Sequence, residues 1–281
     1  MALVALVVIV AGIVLSFWRK FYYTIVASIT CVVVYAIQQA ALPYDYLSFM
    51  PHDLTNAQTF YTVLTSMYAH DPNHLDHLLF NLIGLVFIGL IFEQRIGTRP
   101  FAVLYVLSGL VGTLVFAAWY WDYAVYSVLG ASGAISGVLG GFARLYPNER
   151  LMIMFFPYPL RAVYVVLIFV ALQLLFVSGP NFNVAWQSHL GGLAAGVLLA
   201  PLVVKLKPEQ HVKVKVSLLA LRKLAVTPEL RGILQRIESE EVTDVRKAWV
   251  SHFMSKARCP TCGSPIKISG DSVRCSKGHI L

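Results

Sequence analysis

Residues 130–137 of this chain read GASGAISG, and residues 189–196 read HLGGLAAG. Gly130, Gly133 and Gly137 strip side chains from the first stretch, and Gly192 and Gly196, four apart, do so in the second. Helices in lipid gain little by hiding apolar surface from one another, so close association depends on small-xxx-small faces that let backbones touch. Both stretches sit in apolar surroundings, and reading them as facing helices of a membrane bundle decides the fold class. Each also carries polar side chains that packing does not require: Ser132 and Ser136 in one, His189 in the other. For either motif taken singly, serines bonded back to their own helix carbonyls are the plain alternative.

Composition agrees that the bilayer is the solvent. Of 281 residues, 58% are hydrophobic and 13% charged, whereas a soluble domain carries roughly a quarter charged residues. Apolar runs near the roughly 20 residues needed to span occur at 2–17, 21–41, 78–92, 101–120, 130–143, 160–177 and 186–204. Arg19 and Lys20, Arg95 and Arg99, Arg144, Arg150 and Arg161, and Lys205 and Lys207 mark one side of these runs. The connections 42–76, 121–129 and 178–185 contain no Lys or Arg. The positive-inside rule then puts the N-terminus outside and the C-terminus in the cytoplasm. In the first run the charges follow the apolar core, the reverse of a signal peptide. Residues 2–17 therefore read as a reversed anchor kept as an extra helix.

Inside the spans a short set of polar side chains stands out: His77, Asn81, Glu93, Ser132, Ser136 and His189. Such groups are costly at membrane depth and default to a functional reading. Counted along helices from Arg144, Arg95 and Lys205, Ser132, Asn81 and His189 lie about 18, 21 and 24 Å in. Against a hydrocarbon core of about 30 Å, all three fall in the outer half. A histidine base there can take a serine proton while the hydroxyl attacks a carbonyl.

Together, GASG at 130–133, HLGGLAAG at 189–196 and HLLFN at 77–81 resemble the rhomboid intramembrane serine proteases. The likeness covers roughly residues 21–205, six helices in the family's order, with the N-terminal helix additional. It implies Ser132 as nucleophile and His189 as general base, a dyad with no third acidic residue. His77 and Asn81 would form the oxyanion hole beside the Ser132 backbone amide, a side-chain donor there being worth roughly 10²–10³ in rate. The resemblance implies no catalytic cofactor, and substrates that are transmembrane proteins cut where a helix unwinds. The chain departs from the family twice. Ser136 stands where an aromatic residue usually stacks on the histidine, and a hydroxyl–imidazole contact is expected to replace it. The Trp-Arg pair of the first external loop is absent, so Tyr44, Tyr46, Phe49 and Phe60 are expected to build that loop's plug.

Other features carry weaker expectations. His70, His74 and His77 are spaced for a metal site, but Pro72 interrupts the helix start they would need, and His70 matches the family's loop histidine. Glu93 reads as a structural hydrogen-bonding residue. Trp119, Tyr120, Trp121 and Trp186 read as interfacial residues, and LMIMFFPYPL at 151–160 as a stretch lying on the inner surface.

The tail is a different kind of sequence, holding 15 of the 22 Lys and Arg residues beyond position 204. Cys259 and Cys262, then Cys275 and His279, form CxxC-x12-CxxxH, enough for a closed tetrahedral structural zinc site. Disulfides are the alternative, but three cysteines pair unevenly and the expected side is reducing. Cys31, inside a span, reads as core filler. The module resembles a small zinc ribbon, a type common in archaeal and some bacterial proteins, which suggests a prokaryotic plasma membrane. Before it, Thr227-Pro228-Glu229 opens a helix with Leu230, Ile233, Leu234 and Ile237 on one face. Val212, Val214 and Val216 alternate with lysines as a short strand or a membrane-surface segment. The tail's charge suits anionic headgroups, and nothing in it supplies the base-reading contacts that a nucleic-acid partner requires.

The expectation is thus an all-α polytopic membrane protein. It comprises an extra transmembrane helix at 1–20, a rhomboid core at 21–205, a cytoplasmic helical linker at 206–256 and a zinc-ribbon-like module at 257–281. Its lead function is intramembrane serine proteolysis. The alternative is an inactive rhomboid-like protein that binds or chaperones transmembrane helices. A solute transporter is disfavoured because no internal repeat is evident.

Overall fold

The computed structural model describes residues 2–19, 21–41, 46–123, 125–152, 158–177, 185–206, 218–240, 243–269 and 272–279. The chain divides into two compact units, Met1–Lys207 and Pro208–Leu281.

The first unit is built from apolar helices: α1 (Ala2–Arg19), α2 (Tyr23–Ala41), α4 (Leu75–Gly84), α5 (Leu90–Ile96), α6 (Thr98–Trp119), α7 (Ser132–Leu145), α8 (Ala162–Val177) and α9 (Trp186–Val203). One π-helical turn, Leu85–Gly89, joins α4 to α5 into a single rod. A short helix, α3 (Thr62–Thr65), lies in the loop between α2 and α4. Tyr23–Ala40, Leu75–Ile96, Thr98–Trp119 and Trp186–Leu206 are long and apolar enough to cross a membrane, and shorter apolar helices cover Ala2–Trp18 and Ala162–Leu175. The protein is an all-α polytopic membrane protein.

The centre is where α6, α7 and α9 meet, and small residues set the spacing. A Cβ on Gly192 would lie 2.0 Å from the Gly133 carbonyl oxygen, and one on Gly196 only 1.9 Å from that of Gly137. Backbones this close leave no room for any side chain. The glycine stripes at 130–137 and 189–196 therefore face each other. A third stripe on α6 joins them: Gly112 meets the Ser188 carbonyl, and a Cβ on Gly137 would fall 2.1 Å from that of Ser108.

Two devices hold the surroundings of this centre. Glu93, fully buried, accepts hydrogen bonds from Tyr23 N (2.6 Å), Thr24 N (2.8 Å) and Thr24 Oγ1 (2.7 Å). It thereby satisfies donors that the first turn of α2 leaves without helical acceptors. Ahead of α7, Phe49 pairs with Val128 through a two-way backbone bridge, and Gly130 N donates to Ser66 O at 2.8 Å.

Several local expectations need correction. The span at 130–143 begins as a helix only at Ser132, because Gly130 has φ +119° and ends the incoming segment. Phe49 is the one described aromatic of the expected plug that is buried; Tyr46 and Phe60 are each 54% exposed. The apolar partners of Phe49 are instead Val63, Phe116, Ala117 and Val128, supplied by neighbouring elements. Tyr44 lies outside the described residues. In the stretch 151–160, β1 (Arg150–Leu151) pairs antiparallel with β2 (Leu160–Arg161), and residues 153–157 lie outside the described residues.

The second unit contains α10 (Leu218–Leu224), α11 (Pro228–Ser239), α12 (Thr243–Lys256) and the antiparallel pair β3 (Ile266–Ser269) and β4 (Ser272–Cys275). Thr227 Oγ1 accepts from Leu230 N at 3.2 Å and caps α11. Leu221, Leu224, Ile237 and Phe253 are buried in a core of this unit's own. The alternating valines 212–216 fall outside the described residues.

Candidate active site

Where α7 and α9 touch, Ser132 Oγ lies 2.7 Å from His189 Nε2. The glycine contacts one and two turns further along the same interface make this approach possible, since they bring the two backbones together. Ser132 is the first residue of α7. Its backbone N–H therefore belongs to the helix end whose amides lack intrahelical acceptors and carry partial positive charge. Beside the pair is a cavity of about 230 Å³ that Asn81, Ser132, Ser136 and His189 share with Phe80, Ile88, Ile135, Leu139 and Phe169. That is room for several waters.

Asn81 is 7% exposed and donates through Nδ2 to His77 O at 2.8 Å, while its Oδ1 has no partner among the described residues. An Asn amide has two N–H donors, so one helical bond leaves donor capacity at the cavity. His77 does not line the cavity. Its Nε2 lies beside Gly130, whose added Cβ would fall 2.8 Å from it and 3.6 Å from Ser132 Oγ. His70, fully buried, meets His77 edge-on at 5.2 Å. Burial, then the neighbouring His77, pushes the His70 imidazole down to about 3. His74 is exposed and reaches Asp76 instead. Among the described residues the three histidines form no cluster that could hold a metal.

The imidazole is held differently from the sequence expectation. Ser136 Oγ donates to Ser132 O at 2.7 Å, because the carbonyl four residues back in its own helix is the nearer acceptor. The contacts on His189 come from α8: the Phe169 ring centroid is 6.2 Å away, and Gln173 Oε1 lies 2.9 Å from His189 Nδ1. Gln173 escaped the sequence reading. The signal was a buried amide in a helix otherwise made of apolar side chains and Tyr164.

In the second unit, one ligand-type atom from each of Cys259, Cys262, Cys275 and His279 lies within 4.8 Å of every other. Cys262 and Cys275 sulfurs are 3.6 Å apart, and His279 Nδ1 is 3.4 Å from Cys275 and 3.7 Å from Cys259. Ligands about 2.0–2.3 Å from a tetrahedral zinc would be about 3.6–3.8 Å apart, whereas a disulfide needs about 2.05 Å. Gly263 and Gly278, at φ +69° and +86°, close the two turns that present these ligands. Hydrogen bonds from the Ser264 hydroxyl and backbone, then from Cys259 and His279, hold the Cys262 thiol down at about 6. That favours the thiolate that metal binding requires.

Comparison with known proteins bears on this geometry. A rhomboid domain matches residues 57–206, just over half the chain, and takes in Asn81, Ser132 and His189. Rhomboid protein 1, mitochondrial, of Saccharomyces cerevisiae is 31% identical over 154 residues, 53% of this chain and 44% of that protein. Rhomboid-like protease 3 of Toxoplasma gondii is 32% identical over 138 residues, 49% of each chain. Rhomboid protease GluP of Bacillus subtilis is 29% identical over 124 residues, 44% of this chain and 22% of that one. The chain thus spans half or less of the length of these relatives. With a mitochondrial protein among them, they lend no support to a prokaryotic source or to a cytoplasmic C-terminus. The matched region contains α4 to α9, the helices that carry the serine, the histidine and the asparagine onto one cavity, and on that match the chain belongs to the rhomboid family.

Proposed function

We propose that the protein is a serine endopeptidase that cuts transmembrane-helix substrates within the bilayer, with Ser132 as nucleophile and His189 as general base. The observation that carries this reading is the 2.7 Å contact between Ser132 Oγ and His189 Nε2 beside a cavity at the start of α7.

In this mechanism Ser132 Oγ attacks the scissile carbonyl while its proton passes to His189 Nε2. The oxyanion that forms faces the positive end of α7, the Ser132 N–H and the spare Asn81 donor, the arrangement that lowers such barriers most. Collapse expels the amine, which takes the proton from His189. Water from the cavity then attacks the ester, with His189 again as base. His77, whose Nε2 lies beside Gly130 near Ser132, is the second side-chain donor in this reading of the oxyanion hole. A substrate helix must unwind at the cut, because a helical carbonyl is engaged in its own hydrogen bond.

Labelling by a fluorophosphonate in detergent tests the assignment. Wild type and Ser136→Ala label, and Ser132→Ala and His189→Ala do not. Loss of labelling in all proteins, with no cleavage of a model transmembrane helix, would favour a rhomboid-like binding protein.

For the tail, we infer a structural zinc held by Cys259, Cys262, Cys275 and His279, in a module at 257–281 that follows a helical linker at 206–256. Its closed ligand set leaves no open position for chemistry. Metal analysis should give about one zinc per chain, lost in Cys262→Ser. A metal-free preparation whose three thiols still resist alkylation would defeat it. The topology that goes with these readings puts residue 1 outside and the tail in the cytoplasm, testable by accessibility of the tail to protease in sealed cells.

A further inference from the structure

We propose that Gln173 is a positioning residue that locks His189 in the tautomer able to deprotonate Ser132; the inference rests on the protease reading above. Gln173 is 4% exposed and sits on α8, whose remaining side chains are apolar except Tyr164. An unpartnered buried amide is expensive, and this one meets the imidazole: its Oε1 is 2.9 Å from His189 Nδ1. On the other side of the ring, Nε2 is 2.7 Å from Ser132 Oγ.

An amide oxygen can only accept. Nδ1 must then carry the ring proton, which leaves the Nε2 lone pair to receive the serine hydroxyl. The opposite amide orientation would donate to Nδ1 and put the proton on Nε2. Ser132 could then only accept from the ring, and its own proton would have nowhere to go. Phe169, one turn before Gln173 on α8, is a neighbour of the ring, its centroid 6.2 Å away and its plane tilted by 42°. α8 thus gives His189 an aromatic neighbour and the acceptor that selects its protonation.

This arrangement keeps one half of what the aspartate does in a Ser-His-Asp triad and drops the other. It orients the ring and selects the tautomer, but a neutral amide lends no full negative charge to the imidazolium. In a triad, the wrong tautomer lowers the rate about 10⁴-fold. With the charge contribution absent, removing the acceptor here should cost less, about 10²-fold, the low end of what general-base catalysis supplies.

The test compares Gln173→Met, which keeps length and bulk without an acceptor, with Gln173→Glu, which keeps the acceptor. Full-length protein in detergent is assayed for fluorophosphonate labelling rate, for kcat and KM on a model transmembrane helix, and for thermal unfolding. The Met variant should unfold near the wild-type temperature, lose about 10²-fold in labelling and kcat, and leave KM unchanged. The Glu variant should restore most of the rate. A residue that merely fills space would give the reverse ranking, with Met active and Glu impaired. Labelling of Gln173→Met at close to the wild-type rate overturns the proposal. So does a folded Gln173→Glu that fails to label, which decides the matter should the Met variant not fold. Absence of Ser132-dependent labelling in the wild type is a separate outcome: it removes the protease reading first, and this inference with it.

Discussion

Replacing Gly192 by alanine adds one methyl group at one of the tightest contacts of the helix bundle. That methyl would sit 2.0 Å from the Gly133 carbonyl oxygen, and no such contact below about 3.0 Å is tolerated. The obstructing atom is backbone, so no rotamer change relieves it, and α7 and α9 must separate by about 1 Å. Carried to the neighbouring site, the shift stretches the 2.7 Å Ser132–His189 contact to about 3.7 Å, beyond hydrogen-bond range. Misplacement of about 1 Å costs up to 10²-fold in rate, and overpacking costs about 1–3 kcal/mol in stability. Gly192→Ala should therefore lose about 10²-fold in fluorophosphonate labelling and unfold earlier in detergent. Gly232→Ala is the control: a Cβ at this α11 position meets nothing within 4 Å, and it should stabilise by up to about 1 kcal/mol. A Gly192→Ala protein that labels and unfolds like wild type would refute the claim that backbone contact sets the serine–histidine distance.

Glu93→Ala strands three buried donors at the start of α2, at about 1–3 kcal/mol each. Equilibrium unfolding should therefore show a loss of about 3 kcal/mol or more, with Glu93→Gln intermediate; a loss near zero would mean that other groups hold α2. His70 titrates near 3 when folded against 6.5 as its ordinary value, so the unfolded chain binds the extra proton. Its contribution to stability is complete above about pH 6.5 and declines as pH falls toward 3, by at most about 1.4 kcal/mol per unit. Melting temperatures of His70→Gln should then fall less steeply than wild type between pH 6.5 and 4, and parallel curves would contradict this. Gly130→Ala combines a left-handed φ of +119° with a Cβ 2.8 Å from His77 Nε2. Its labelling rate should fall more than that of Gly84→Ala, whose added Cβ meets only Ile135 Cγ2 at an ordinary 3.6 Å.

The bilayer explains how much of this could be read in advance. Polar side chains are so costly in lipid that Ser132, Asn81 and His189 stood out against their runs, and paired glycines announced which helices touch. Gln173 did not stand out, because a lone amide in an apolar helix belongs to no motif until its partner is known. The α6 stripe of Ser108, Gly109 and Gly112 was invisible for a related reason: its meaning lies in Ser188 and Gly137, far away in sequence. The loop plug was legible only in part, because aromatic content does not say which ring turns inward. Phe49 does, since Phe116 on α6 and Val63 on α3 receive it. The cluster of Cys259, Cys262, Cys275 and His279 was legible as a grouping because its spacing is written in the sequence itself.

The segment that leads into α7 is not helical, yet the helix it feeds starts at Ser132. Bare amides in hydrocarbon would be intolerable. Here the Phe49–Val128 bridge and the Gly130–Ser66 bond absorb them. The loop between α2 and α4 is thus a scaffold for the strand-like backbone ahead of α7: it takes up the amides there so that a helix can open at Ser132. A proteolytic nick near residue 56 would then loosen the start of α7 and lower Ser132-dependent labelling while Ser132, Asn81 and His189 stayed chemically intact.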